Sequence, residues 1–191
     1  MIRTMPTETI AKKLFTVEEF HRIWEAGVFP EQGRYELVRG EIIEMPLPQS
    51  PHSSRVKRLI RVFTSKLGES VIVSVQDSVI LDEYSEVLPD VALLKPRDDF
   101  YEAAQPAPAD VLVMVEVSDE SSRYDTEVKA PLYADAGIAE YWQLDVIKEC
   151  LIVRTEPYPG EYHSVRTLRR GETVSPVLLP TLVVSVDELL G

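Results

Sequence analysis

Two carboxylates stand where strands are expected. Asp90 opens the stretch LPDVALL, and Glu116 lies inside VLVMVEVS. The run Val111 to Val117 has the β-branched bias of a strand buried on both faces. An ionised carboxylate placed there costs several kcal/mol unless something compensates it. Asp90 and Glu116 are 26 positions apart, enough for one strand, a loop and a returning strand. On neighbouring strands both carboxylates would point into one cleft, and a hard divalent cation would answer the charge. Mg²⁺ takes oxygen ligands, keeps several waters and is commonly held by one or two carboxylates plus a substrate phosphate. The third element is Lys129, four residues after Asp125 on an expected helix and so on the same face. A lysine near a metal-bound water can orient it, help remove its proton, or stabilise charge on a phosphoryl group. Two carboxylates, a lysine and a metal are a recurring recipe for phosphodiester hydrolysis.

Each residue also has a plainer role. Asp90 follows Pro89, and Asp is common at a turn entering a strand. Glu116 can pair with an interior Arg or Lys. Asp125 and Lys129 at this spacing are often a surface ion pair worth about 0.3–0.5 kcal/mol. His52, after Ser50-Pro51, fits a polar position in a first helical turn, and His21 and His163 stand alone.

The elements that must position these groups are legible in outline. FTVEEFHRIWEAG begins a helix, with Thr16 and Glu19 at capping-box spacing and Gly27 as its stop. RYELVRGEIIEMP reads as two short strands around Arg39-Gly40. Ser50-Pro51 starts a helix whose apolar residues Val56, Leu59, Ile60, Phe63 and Leu67 recur at helical spacing, leaving the basic residues on the other side. SVIVSVQDSVILDE gives one long or broken strand, and LPDVALLK another. The loop PRDDFYEAAQPAPAD is expected to be flexible. A helix follows over about Ser122 to Asp135, with Gly137 past its end. AEYWQLDV and the segment from Glu149 to Pro176 read as three or four antiparallel strands. The order argues for an α/β fold, a central mixed sheet flanked by helices, in one domain over residues 1–191.

Composition narrows the classes. The 191 residues are 45% hydrophobic and 27% charged, ordinary for a soluble globular protein. No apolar run approaches the roughly 20 residues that span a bilayer, and MIRTMPTETIAKKLF lacks the apolar core of a signal peptide. The single cysteine, Cys150, excludes an internal disulfide and a cysteine-built zinc site. A cytoplasmic protein without a membrane partner is expected. A net charge of −12 counts against indiscriminate adhesion to nucleic acid. From Gln49 to Gly68, however, five cations (Arg55, Lys57, Arg58, Arg61 and Lys66) occur with no acid. Gly-rich phosphate loops, G-x-S-x-G and H-E-x-x-H are absent.

The chain resembles the Uma-two family, members of the PD-(D/E)XK restriction-endonuclease-like superfamily. YELVRGEIIEMP, SPHSSRV, LPDVALL and VEVSDESSRYDTEVKAPLYADAGIAEYWQLD carry the resemblance over most of the chain. It implies a restriction-endonuclease-like fold with a cleft for Mg²⁺ or Mn²⁺ and a Mg-dependent endodeoxyribonuclease activity. Asp90 then corresponds to the PD element and Glu116 to the (D/E) element. The superfamily lysine two residues after that acid is replaced by Ser118. Family members displace it onto the following helix, which assigns it to Lys129. Glu36 matches an acidic position that contributes a further metal oxygen, with Glu41 a weaker candidate. His52 and Asp125 are expected to support the ligands, and Arg55, Arg58 and Arg61 to contact the DNA backbone. Superfamily members that cut both strands pair their sites through a dimer, so a homodimer is expected.

Three functions compete. The first is a metal-dependent nuclease acting on DNA. The second is a catalytically idle nuclease fold used as a binding or assembly module, which the acidic charge and the missing lysine at Ser118 favour. The third is a metal-dependent hydrolase of small phosphoesters.

Overall fold

Thr16 caps the first helix as its spacing predicts: its hydroxyl accepts from the Glu19 N–H, and the Glu19 carboxylate accepts from the Thr16 N–H. The computed structural model describes residues 11–30, 32–119 and 122–191. The start of the stretch read for a signal peptide, Glu31, and Glu120 and Ser121 lie outside the described residues.

Helix α1 (Val17–Glu25) packs Val17 and Phe20 against Tyr35 and Leu37 of strand β1 (Arg34–Val38). β1 and β2 (Glu41–Met45) form an antiparallel hairpin. Its turn residues Arg39 and Gly40 both have positive φ, 51° and 79°, the turn whose twist matches that of the strands. A Cβ at Gly40 would lie 2.6 Å from that of Leu14, so both the backbone and the space call for glycine.

SVIVSVQDSVILDE breaks into two strands in different sheets, β3 (Ile72–Ser74) and β4 (Val79–Asp82). Between them Gln76 adopts a left-handed backbone, φ 52°. A short strand not anticipated from sequence, β5 (Ser85–Val87), pairs with both β4 and β1, completing a sheet in the order β2-β1-β5-β4. The main sheet adds β6 (Val91–Leu94), β7 (Val111–Ser118), β8 (Glu140–Asp145), β9 (Cys150–Tyr158) and β10 (Glu161–Arg169). Its order is β10-β9-β8-β7-β6-β3. It is a mixed sheet, because β7 and β8 run parallel while the other pairs are antiparallel. β11 (Thr173–Val174) and β12 (Val184–Ser185) form a small ribbon beside it.

All eight residues of β7 are buried, as its composition predicts. One face of the sheet, including Val91, Val113, Val115, Val117 and Trp142, is covered by Val56, Leu59 and Phe63 of α2 (Ser50–Leu67) and by the C-terminal helix α5 (Val186–Leu190). The other face, with Ala92, Met114 and Tyr141, packs on α4 (Ala130–Asp135) and on Val38, Val79 and Val87 of the second sheet. Strand alternation therefore places Glu116 with Met114, and Glu36 with Val38, on the α4 side. That is the interior between the two sheets.

The helix expected over Ser122 to Asp135 forms in three parts: α3 (Ser122–Tyr124), a π-turn at Asp125–Lys129, and α4. Pro131 supplies the reason. In an α register its ring would clash with the carbonyl of residue 127, and it has no N–H to offer. The Ala130 N–H reaches back to Asp125 instead. The loop between β6 and β7, expected to be flexible, is tied down. Arg97 pairs with Asp99 at 2.5 Å and lies 3.9 Å over the Tyr101 ring, whose hydroxyl donates to Lys95 O at 2.9 Å. Among the described residues no helix is long and apolar enough to cross a membrane.

Candidate active site

β6 and β7 are adjacent and antiparallel, with Val91 opposite Val115, so the chain brings Asp90 beside Glu116 as the spacing suggested. The two carboxylates are laced to each other's backbone. Glu116 Oε2 accepts the Asp90 N–H at 3.1 Å, and Asp90 Oδ2 accepts the Val117 N–H at 2.9 Å. Across the gap to the second sheet, Glu36 accepts the Leu88 N–H on Oε1 at 2.9 Å.

Lys129 closes the group. The π-turn delivers its ammonium between the sheets, 2.7 Å from Glu116 Oε1 and 3.0 Å from Glu36 Oε1. A surface pair with Asp125 is thus excluded as its whole role, because Lys129 and Asp125 are both buried. Burial works against the Lys129 charge, but Glu116, Glu36 and Asp125 outweigh it and hold its pKa well above the usual lysine value. Burial pushes Glu116 up to about 8, with Lys129 opposing the shift and Asp90, Asp125 and Glu36 adding to it. One lysine thus stands among four carboxylates, Glu116, Asp90, Asp125 and Glu36.

His52 lies on the buried face of α2, in register with Val56, Leu59 and Phe63, and its Nε2 is 2.8 Å from Asp90 Oδ1. That hydrogen bond raises the pKa of His52. Burial would push Asp90 up, yet bonds from His52, Val117 N–H and Gln76 outweigh it and leave its pKa below the usual aspartate value. Asp125 accepts from Ser118 Oγ at 2.6 Å. Ser118 therefore ties β7 to the start of the π-turn that carries Lys129.

Glu41 does not join the group; it is an exposed hairpin carboxylate paired with Lys12 at 2.8 Å. Of the cations expected to track DNA, Arg55 is half-buried and Arg61 is exposed. Arg58 is also exposed, but its guanidinium lies against Gly191, and a Cβ there would come within 2.5 Å of it. Lys66 is bound to Glu188 and to Val183 O, each at 2.8 Å.

Two further residues escaped the sequence reading. Tyr133 donates to Glu116 Oε1 at 2.6 Å; its position four residues after Lys129 was the available signal. Gln76 donates to Asp90 Oδ1 at 3.2 Å from its left-handed backbone, which nothing in the sequence announces for a glutamine.

The donor chemistry suits a hard cation: carboxylate oxygens only, several of them around one lysine, and a buried Glu36 Oε2 with no partner among the described residues. Among the described residues no cluster of three or more such ligands is found, and Lys129 occupies one oxygen of Glu36 and one of Glu116. The pair Asp90 and Glu116 remains, and a pair is what Mg²⁺ commonly takes beside water and phosphate.

A profile of the Uma2 family, described as "Putative restriction endonuclease", matches residues 17–187. The chain belongs to the Uma2 family. Its fold is shared with a crystal structure described as a "putative nuclease" from Anabaena variabilis, at a TM-score of 0.71 and 19% identity, covering 92% of this chain and 97% of that one. The Uma2 chain is thus a mixed α/β protein of restriction-endonuclease-like fold. No curated protein matches it.

Proposed function

We propose that this Uma2 chain is a metal-dependent nuclease that hydrolyses DNA phosphodiester bonds. The observation that carries the reading is that Asp90, just before β6, and Lys129, from the π-turn, both meet Glu116 of β7, although a lysine is missing at Ser118. Asp90 and Glu116 would hold Mg²⁺ or Mn²⁺. Such an ion supplies a water of lowered pKa and neutralises charge on the leaving oxygen. His52 and Gln76 fix Asp90, and Tyr133 and Lys129 fix Glu116, so the ligands need little reorganisation. Because its pKa is raised, Lys129 stays charged at neutral pH. It therefore acts as a fixed cation beside the phosphoryl group rather than as a proton acceptor. His52 lies in the first turn of the helix that carries Arg55, Arg58 and Arg61, so a duplex entering the site would meet those cations along α2. Cutting both strands would take two such sites, for which a homodimer is the expected assembly.

The test is supercoiled plasmid at low salt with Mg²⁺, Mn²⁺ or EDTA, beside Glu116→Ala, with metal binding followed by calorimetry. Metal-dependent nicking that the substitution abolishes is expected. Metal binding without cleavage of DNA would redirect the reading to small phosphoesters.

One observation favours an idle binding module instead. The Asp90, Glu116, Lys129 and Glu36 side chains are only 8%, 4%, 3% and 1% exposed, as in a structural ion-pair network. A wild type that binds no metal and cuts nothing would establish that alternative.

A further inference from the structure

The site spends nearly all of its hydrogen-bonding capacity on itself, so the exceptions are informative. Among the described residues three buried side-chain polar atoms have no partner in the protein: Glu36 Oε2, Tyr124 Oη and Arg55 Nε. The first two belong to this site. The Glu36 side chain is 1% exposed, and its other oxygen is committed to Lys129 and the Leu88 N–H. Lys129 carries three hydrogens and meets two acceptors, Glu36 and Glu116. Tyr124 ends α3, one residue before the π-turn that delivers Lys129. Buried polar atoms are almost always satisfied, and an open acceptor on Glu36 and an open hydroxyl five residues before the lysine that binds Glu36 are partners of the kind a water molecule needs.

We propose that Tyr124 is a catalytic residue of this site: its hydroxyl and the free oxygen of Glu36 hold the water that attacks phosphorus. The inference rests on the nuclease reading and extends it. Burial first, and Glu36 second, push the phenol up to about 12, so the hydroxyl stays protonated and can donate. The phenol donates to the water oxygen and Glu36 Oε2 accepts one of its hydrogens, leaving an oxygen lone pair for phosphorus. As the new P–O bond forms, that proton passes to Glu36 Oε2. The bond from phosphorus to the leaving oxygen breaks, the leaving oxygen takes a proton from solvent, and Glu36 later returns its own.

Tyr124→Phe removes the hydroxyl and keeps the ring. The plasmid cleavage rate constant should fall about tenfold or more with KM within about twofold, since a reacting group is lost and substrate binding is not. The thermal midpoint should stay or rise, because an unpaired buried hydroxyl is removed. A crystal structure of the wild type should show a water within hydrogen-bonding distance of Tyr124 Oη and Glu36 Oε2. An unchanged rate, a rate loss accompanied by a falling thermal midpoint, or a direct Tyr124–Glu36 hydrogen bond would each overturn the proposal. A wild type that cleaves nothing overturns the nuclease reading with it. A wild type that cleaves while Tyr124→Phe keeps pace overturns this proposal alone.

Discussion

Two glutamates are buried on neighbouring parallel strands of the main sheet, Glu116 on β7 and Glu140 on β8, and they are compensated in opposite ways. Glu140 accepts from Trp142 Nε1 and from the Val177 N–H, both at 2.6 Å, two neutral donors that pin the segment after β11 to the sheet. Burial raises its pKa and these two bonds oppose the rise. Glu116 instead meets a lysine, a tyrosine and a backbone N–H, with Asp90, Asp125 and Glu36 close enough to push its pKa further up. Burial of a carboxylate therefore says little by itself. What separates a site from a structural anchor is charge beyond what the neighbours neutralise, together with oxygens left open.

The largest expected effect breaks the comparison on the Glu116 side. Lys129→Met leaves Glu116 and Glu36 without their cation. Removing one partner of a buried pair costs about 3–5 kcal/mol, so urea unfolding at neutral pH should show a loss of that order along with loss of cleavage. Adding Glu116→Leu should recover much of the stability and none of the activity, because an apolar replacement needs no counter-charge. Glu140→Ala, by contrast, strands two buried donors at about 1–3 kcal/mol each. It should lower the unfolding midpoint while the cleavage rate per folded molecule stays near wild type. A Glu140→Ala variant that folds and binds no metal would collapse the distinction.

Acidity sharpens the same contrast. The folded pKa of Glu116 is near 8 against a reference of 4.5, with Lys129, Tyr133, Asp90, Asp125 and Glu36 around it. The folded state therefore binds a proton more tightly than the unfolded chain does. Its contribution is full below about 4.5 and is lost as pH rises through about 8. Metal-free protein should lose stability across that window, and Glu116→Gln should flatten the slope. Glu140 shifts in the same direction, so Glu140→Gln should remove a further part of the slope. A slope that survives Glu116→Gln intact would show that another group carries it.

How much of this could be read beforehand depended on whether a feature is local. The capping box at Thr16, the Arg39-Gly40 hairpin and the buried run of β7 follow from short-range chemistry and appear as read. That Asp90 and Glu116 would lie side by side was legible from residue type and strand placement, Lys129 was picked out by its helical spacing to Asp125, and the family pattern supplied Glu36. Gln76, β5 and the sharing of Lys129 between Glu36 and Glu116 were not. The first depends on an unusual φ, the second on pairing with β1 far along the chain, and the third on where the lysine head settles between two sheets. The polar register of Tyr124 was invisible for the same reason: an open hydroxyl exists only once everything around it is placed.

The smallest expected effect concerns the basic helix, where the comparison moves from buried charge to exposed charge. Arg61 is exposed, whereas Lys66 is held by Glu188 and Val183 O. If α2 tracks a DNA backbone, Arg61→Ala should reduce the slope of log affinity against log salt by about one and weaken binding evenly across sequences. Lys66→Ala should leave that slope nearly unchanged and loosen the α2–α5 contact, seen as a small drop in thermal midpoint. Fluorescence anisotropy with a labelled duplex at three salt concentrations measures both, using Ca²⁺ in place of Mg²⁺ to prevent turnover. Equal slopes in wild type and Arg61→Ala would move the nucleic acid off α2 without touching the case for Glu116, because the cluster and the helix contribute through different physics: one through desolvated charge fixed in the fold, the other through counterions released at the surface.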